Sequence, residues 1–232
     1  MGWNADDFEP DEKPPKRKSG DPIRPAPSGA PETPYRVGDP LKPGSDIMLT
    51  SVYAYRNTKG ELMNYVLRFE GPAKEHGKPK KEIRPLYYFG PEIGWKMKGP
   101  QKAHPTTLFR LEELELHPLD PVLLVEGEKT ALAARDLFPD YVCVTWLGGA
   151  GRLSKADWSP LSGRHVVYWP DADDAGHKTI APIQRALGLV VAASFKVVQV
   201  TGAMPNKWDL ADPPPKGVEL AAMLAEAKPL DL

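Results

Sequence analysis

The second half of the chain alternates between two textures. Strongly apolar runs, "VLLVEG" (122–127), "YVCVTW" (141–146), "HVVYWP" (165–170) and "SFKVVQV" (194–200), read as buried strands. Between them "EKTALAARDLF" carries an Ala/Leu face at helical spacing, and residues 174–188 form a second helical stretch in which Pro182 marks a kink or a second start. "GVELAAMLAEA" closes the chain as a third helix. Strands without polar alternation need cover on both faces. The pattern therefore predicts an α/β unit over 119–232, a mostly parallel sheet with helices on both sides.

The first half reads differently. "IMLTSVYAYRN" and "LMNYVLRFE" flank "TKGE", a hairpin signal with Gly60 in the turn, and "IRPLYYFG" and "GWKMK" are further short strands. These predict a small β-rich domain over 46–118. Residues 1–45 hold ten of the 27 prolines and almost no apolar periodicity, so they are expected to form a disordered tail. The basic run Lys16-Arg17-Lys18 in that tail reads as solvated charge.

Ligands in an open parallel sheet gather at the carboxyl ends of the strands. Acids concentrate where that rule points. Glu126 ends the first strand, Asp171, Asp173 and Asp174 follow the third, and Asp209 and Asp212 follow the fourth. Residues i and i+2 of an extended segment point the same way, which lets Asp171 and Asp173 present both carboxylates together. With the first and third strands adjacent, about 4.8 Å apart, Glu126 joins them. Unneutralised carboxylates at 4 Å repel by about 4 kcal/mol at an effective dielectric near 20. A hard divalent cation, Mg²⁺ or Mn²⁺, removes that repulsion and bridges to phosphates. Helix capping by Asp173 or Asp174 explains one acid, or two with the helix dipole, but not a glutamate on another strand.

Composition narrows the chemistry. The net charge of −1 leaves nucleic-acid binding to a local patch, and the candidate is Lys74, Lys78, Lys80, Lys81 and Arg84, with Tyr87, Tyr88 and Trp95 nearby to stack on bases. The same cluster also reads as a solvated basic hairpin. A single cysteine, Cys143, excludes a disulfide framework and a multi-cysteine zinc site. No apolar stretch reaches membrane-spanning length and no signal-peptide core opens the chain, so the expectation is a cytoplasmic protein without a membrane partner. "LGGAG", with Gly148, Gly149 and Gly151, serves either as a tight turn or as a backbone cradle for phosphate. Lys129 and Lys178 face a nucleotide's phosphates or simply solvent, and Trp208 packs or stacks.

"VEGEKTA" followed at suitable distance by "PDADDAG" resembles the Toprim domain of bacterial-type primases, topoisomerases and some nucleases. The order "PVLLVEGEKTA", "WLGGAGRL", "DWSPLSGRHVVYWPDADDAG" and "NKWDLAD", over about 119–213, is more similar still to primases carried by phages, prophages and plasmids. Residues 50–118 resemble the segment that precedes Toprim in them. The resemblance implies a Rossmann-like Toprim fold and a DNA primase core that joins nucleoside triphosphates on a single-stranded DNA template, with Mg²⁺ or Mn²⁺ and no zinc. It makes Glu126, Asp171 and Asp173 the catalytic acids, with Asp174, Asp209 and Asp212 as further metal ligands, and leaves room for a separate replicative helicase. Thr130 stands where bacterial primases often carry an Asp, and no helicase motor motif occurs. Two other readings stay open: a Toprim metal-dependent nuclease, and a non-catalytic single-stranded-DNA-binding module of a replication complex.

Overall fold

The computed structural model describes residues 20–73, 79–100, 105–200 and 204–232. Strands β1 (Met48–Arg56), β2 (Leu62–Ala73), β3 (Pro79–Tyr88) and β4 (Trp95–Lys96) form one antiparallel sheet in that order. The β1–β2 hairpin closes as expected: the Asn57 N–H donates to the Glu61 carbonyl, and Gly60 takes a φ of 76° that side chains resist.

The second sheet contains β5 (Val122–Val125), β6 (Val142–Val144), β7 (His165–Trp169), β8 (Ser194–Val197) and β9 (Lys228–Leu230), ordered β6-β5-β7-β8-β9. All pairings are parallel except β8 with β9. The helices are α1 (Leu111–Leu116), α2 (Glu128–Leu137), α3 (Asp174–Leu189) and α4 (Leu220–Ala225). Leu123 and Val125 of β5 pack with Ala131 and Ala134 of α2 and Leu220 and Leu224 of α4. Val122 and Leu124 pack on the other side with Leu111 and Leu114 of α1 and Ile183 and Leu187 of α3. Cover on both faces is why β5 carries no polar residue. Pro182 lies within α3, which runs as one helix. The edge strand β9, missing from the sequence pattern, is three residues long and contains Pro229, tolerated because an edge leaves one side unpaired.

Two expected boundaries move. Residues 20–45, placed by composition in a disordered tail, lie against the first sheet. Ile23 N–H donates to the Tyr88 carbonyl (2.8 Å), Ala26 N–H to the Leu62 carbonyl (2.7 Å), and Trp95 Nε1–H to the Pro31 carbonyl (2.7 Å). A proline-rich segment builds no core of its own, but it has few N–H groups to satisfy and covers an existing apolar face at low cost. Residues 1–19 lie outside the described residues. Residues 105–118, assigned by pattern to the β-rich domain, belong to the second sheet's layer. Leu108 is buried there, and the Phe109 N–H donates to the Thr145 carbonyl at 2.8 Å.

The two sheets share a core. Tyr53, Tyr55 and Val66 of the first sheet pack with Phe109, Leu123 and Ala131. Among the described residues, no helix is long and apolar enough to cross a membrane.

Candidate active site

The connection after β5 leads to α2 on one face, and the connection after β7 leads to α3 on the other. The chain thus departs in opposite directions at two adjacent parallel strands, which opens a crevice at their carboxyl ends. The last pair in register is Val125 with Trp169, so Glu126 and the Asp171 loop emerge side by side. Gly127 makes the exit from β5 possible with a φ of 86°, and its N–H donates to Thr145 Oγ1 at 2.9 Å.

The Asp171 loop is tightly built. Asp173 is extended and caps α3, with Oδ1 accepting from the Gly176 N–H at 2.8 Å, while its own N–H donates to the Asp171 carbonyl at 2.8 Å. A Cβ on Gly176 would stand 2.4 Å from that same carbonyl oxygen, so only glycine lets α3 start this close to the acids. The loop after β8 is laced to it: Ala172 N–H donates to the Trp208 carbonyl (2.9 Å) and Lys207 N–H to the Ala172 carbonyl (2.8 Å). This lacing brings Asp209 to the site. Trp208 packs beneath with its Nε1–H on the Pro213 carbonyl.

Asp171 is the electrostatic centre. Burial first, then the charges of Glu126, Asp209 and Asp173, push its pKa up to about 8, with Lys81 opposing. Glu126 is raised as well, chiefly by burial, while the Tyr168 hydroxyl, donating to Oε1 at 2.7 Å, and the backbone of Asp171 favour its charged form. The other two predicted ligands stand apart. Asp174 is exposed on the first turn of α3, and Asp212 Oδ2 accepts from the Asp209 N–H at 3.3 Å, an intraloop role. Among the described residues no three Asp, Glu, His or Cys side chains close into a ligand cage. The acids form an open bowl around Asp171 instead.

The first sheet supplies the facing wall. Lys81, Ile83 and Pro85, at i, i+2 and i+4 of β3, line a cavity of about 440 Å³ whose other side includes Glu126 and Asp171. Gly148, Gly149 and Arg152 line it too, in the loop and 3₁₀ turn after β6. Lys81 is exposed as a residue, yet desolvation first and then Arg68 draw its pKa down, while Glu128, Asp171 and Asp209 pull it up.

The predicted basic patch divides on this strand. Lys80 and Arg84 take the opposite face from Lys81, where both pair with Glu82. Trp95 is not the stacking platform expected of it: it is buried against Tyr65 and Tyr88 at ring-centroid distances of 5.0 and 5.3 Å. Tyr87 and Tyr88 are also buried. Lys74 and Lys78 lie outside the described residues. Lys129, Lys178 and Gly151 are exposed and absent from the cavity's lining, so the nucleotide contacts expected of them are not gathered with Gly148 and Gly149.

The sequence pattern assigns no role to three residues. Arg152, four positions after Gly148, was legible only as the end of a glycine-rich turn. Glu128, buried and accepting from the Tyr55 hydroxyl at 2.7 Å, joins the two sheets. Tyr168 looked like one more apolar strand residue.

The family described as Domain of unknown function (DUF6371) matches residues 51–172, just over half of the chain. No curated protein matches. Among solved structures, the DnaG catalytic core is similar with a TM-score of 0.47 and 15% identity, over 80% of this chain and 54% of that one. A DNA primase domain from Pseudomonas aeruginosa gives 0.46 and 14%, over 81% and 53%. The zinc-binding and RNA polymerase domains of Aquifex aeolicus primase give 0.45 and 17%, over 82% and 44%. The chain spans about half the length of the solved structures it matches.

Proposed function

We propose, for a chain that belongs to the DUF6371 family, that it is a metal-dependent nucleotidyltransferase of the primase kind, joining nucleotides on single-stranded DNA. One observation carries this reading: Asp171, with Glu126, Asp173 and Asp209 around it, faces Lys81 across a cavity that Arg152 also lines, at the switch point of a parallel sheet. Carboxylates and cations lining one cavity suit a ligand that brings its own phosphates and a divalent metal.

The donor set fits Mg²⁺ or Mn²⁺. It is oxygen only, and the lone cysteine is buried in β6. Burial first and then mutual repulsion lift Asp171; a hydrated cation would relieve the repulsion, and an open bowl suits an ion that keeps several waters. Asp171 would hold it, helped by Glu126, Asp209 and the free oxygen of Asp173. When bound, such a cation lowers the pKa of an attacking hydroxyl and neutralises charge on the phosphates.

The protein's own groups do the rest. Lys81 and Arg152 hold phosphate oxygens by charge-assisted hydrogen bonds. Gly148 and Gly149, without side chains, let the triphosphate approach the backbone. Glu126, oriented by Tyr168 and by the Asp171 backbone, either helps to hold the cation or takes the proton of the attacking 3′-hydroxyl. The single-stranded template runs along the Lys81 face of the first sheet. Work on single-stranded DNA fits a cytoplasmic protein that relies on a separate helicase.

The test uses the full chain with single-stranded DNA, labelled nucleoside triphosphates and Mg²⁺ or Mn²⁺, and a parallel reaction with end-labelled DNA. Template-dependent oligomers are expected, lost in Asp171→Asn and reduced at least a hundredfold in Glu126→Gln. Shortened end-labelled DNA without oligomers would make the protein a nuclease. Binding without either reaction would make it a non-catalytic module.

A further inference from the structure

Two buried hydroxyls lie between the arms of the acidic site. Tyr168 is on β7, opposite Leu124 of β5, and Thr179 is on the inner face of α3; both are almost completely buried. The Tyr168 hydroxyl donates to Glu126 Oε1 at 2.7 Å, and its oxygen lies 2.5 Å from Thr179 Oγ1. With the Tyr168 proton on Glu126, the single Thr179 proton serves the Tyr168 oxygen; the Gly176 carbonyl stands 2.6 Å from Thr179 Oγ1, and the Gly176 N–H donates to Asp173 Oδ1 at 2.8 Å. Hydrogen bonds thus link the glutamate at the end of β5, through Tyr168, to Thr179 in the first turns of α3, the helix that Asp173 caps.

Packing alone does not call for these hydroxyls. Phe in place of Tyr168 and Val in place of Thr179 would fill the same apolar layer, where Val166, Ile183 and Leu187 already lie. A buried hydroxyl is costly unless it is bonded, and here Tyr168 is spent on Glu126 and Thr179 on Tyr168. We infer that Tyr168 and Thr179 are positioning residues, a buried brace that fixes the Glu126 carboxylate relative to Asp173 and so sets the spacing of the site's two arms. Their effect on turnover rests on the nucleotidyl-transfer reading; their effect on the geometry of the acids does not.

The experiment takes the full chain as wild type, Tyr168→Phe, Thr179→Val and Thr179→Ser. Mn²⁺ binding is followed by electron paramagnetic resonance, kcat and KM by primer synthesis, and folding by circular dichroism at the assay temperature. Partners behind metal ligands are worth 10–100-fold in affinity or activity. The expected result is a loss of about tenfold or more in Mn²⁺ affinity and in kcat for Tyr168→Phe and Thr179→Val, with nucleotide KM unchanged and the fold retained. Thr179→Ser, which keeps the hydroxyl, should match wild type. Should wild type make no oligomers while Mn²⁺ affinity still follows the hydroxyls, the nucleotidyl-transfer reading fails and the brace stands. Wild-type Mn²⁺ affinity in folded Tyr168→Phe and Thr179→Val overturns the brace, whether or not wild type polymerises. A wild type that neither binds Mn²⁺ nor polymerises overturns both.

Discussion

Asp171 holds its proton well into the neutral range because burial and three neighbouring acids oppose its charge. In the unfolded chain an aspartate ionises near 4. Between about pH 4 and 8 the native state therefore binds a proton that the unfolded state has lost, and stability must fall as pH rises across that window and level off above it. Metal-free protein should show this decline in its denaturant midpoint, measured with a chelator present. Asp171→Asn should flatten the decline and be the more stable protein at neutral pH. Mg²⁺ should stabilise wild type more at pH 8 than at pH 6, because less proton is then displaced. At this scale the sequence places Glu126, Asp171 and Asp173 at strand ends, and the structure brings them together. Asp174 and Asp212 look identical on paper; helix phase turns one to solvent, and a local turn occupies the other.

Among the elements, β3 shows how strongly strand alternation sorts a charged run. "KPKKEIR" reads as one basic cluster, but a period of two sends Lys81 into the cavity and leaves Lys80 and Arg84 with Glu82 on the far side. Lys81→Met should weaken nucleoside triphosphate binding about tenfold or more, the loss of one charge-assisted hydrogen bond of roughly 1.5–3 kcal/mol. Lys80→Met should change it less than twofold, and titration calorimetry of both variants would distinguish a sided wall from a diffuse basic patch. The parallel strands were legible because continuous apolar runs have few other uses. The edge strand β9 was not: three residues with a proline carry no periodic signal, and only pairing with β8 makes them a strand.

For the molecule as a whole, the important contact is the one between the sheets. Tyr55 and Phe109 pack at a ring-centroid distance of 5.3 Å, and the Tyr55 hydroxyl satisfies the buried Glu128 carboxylate. Tyr55→Phe leaves that carboxylate without this donor and should cost about 1–3 kcal/mol in denaturant unfolding. A shared core also predicts one cooperative transition: tryptophan fluorescence and far-ultraviolet circular dichroism should give coincident unfolding curves. Two separated curves would mean that the sheets fold independently and that Lys81 is held over the acids less firmly than the shared core requires.

The sequence by itself determined the layered α/β architecture, the β-rich unit before it and the strand ends that carry acids. Each of these depends on local periodicity, which residues a few positions apart express without help. Tertiary structure alone decided which acids meet, that Lys81 and Arg152 line a cavity with them, that Trp95 is core and that a tyrosine inside an apolar strand touches Glu126. Those relations join residues tens of positions apart, and they follow from strand order, register and the side of the sheet to which each connection turns. None of these is written in the spacing of neighbouring residues.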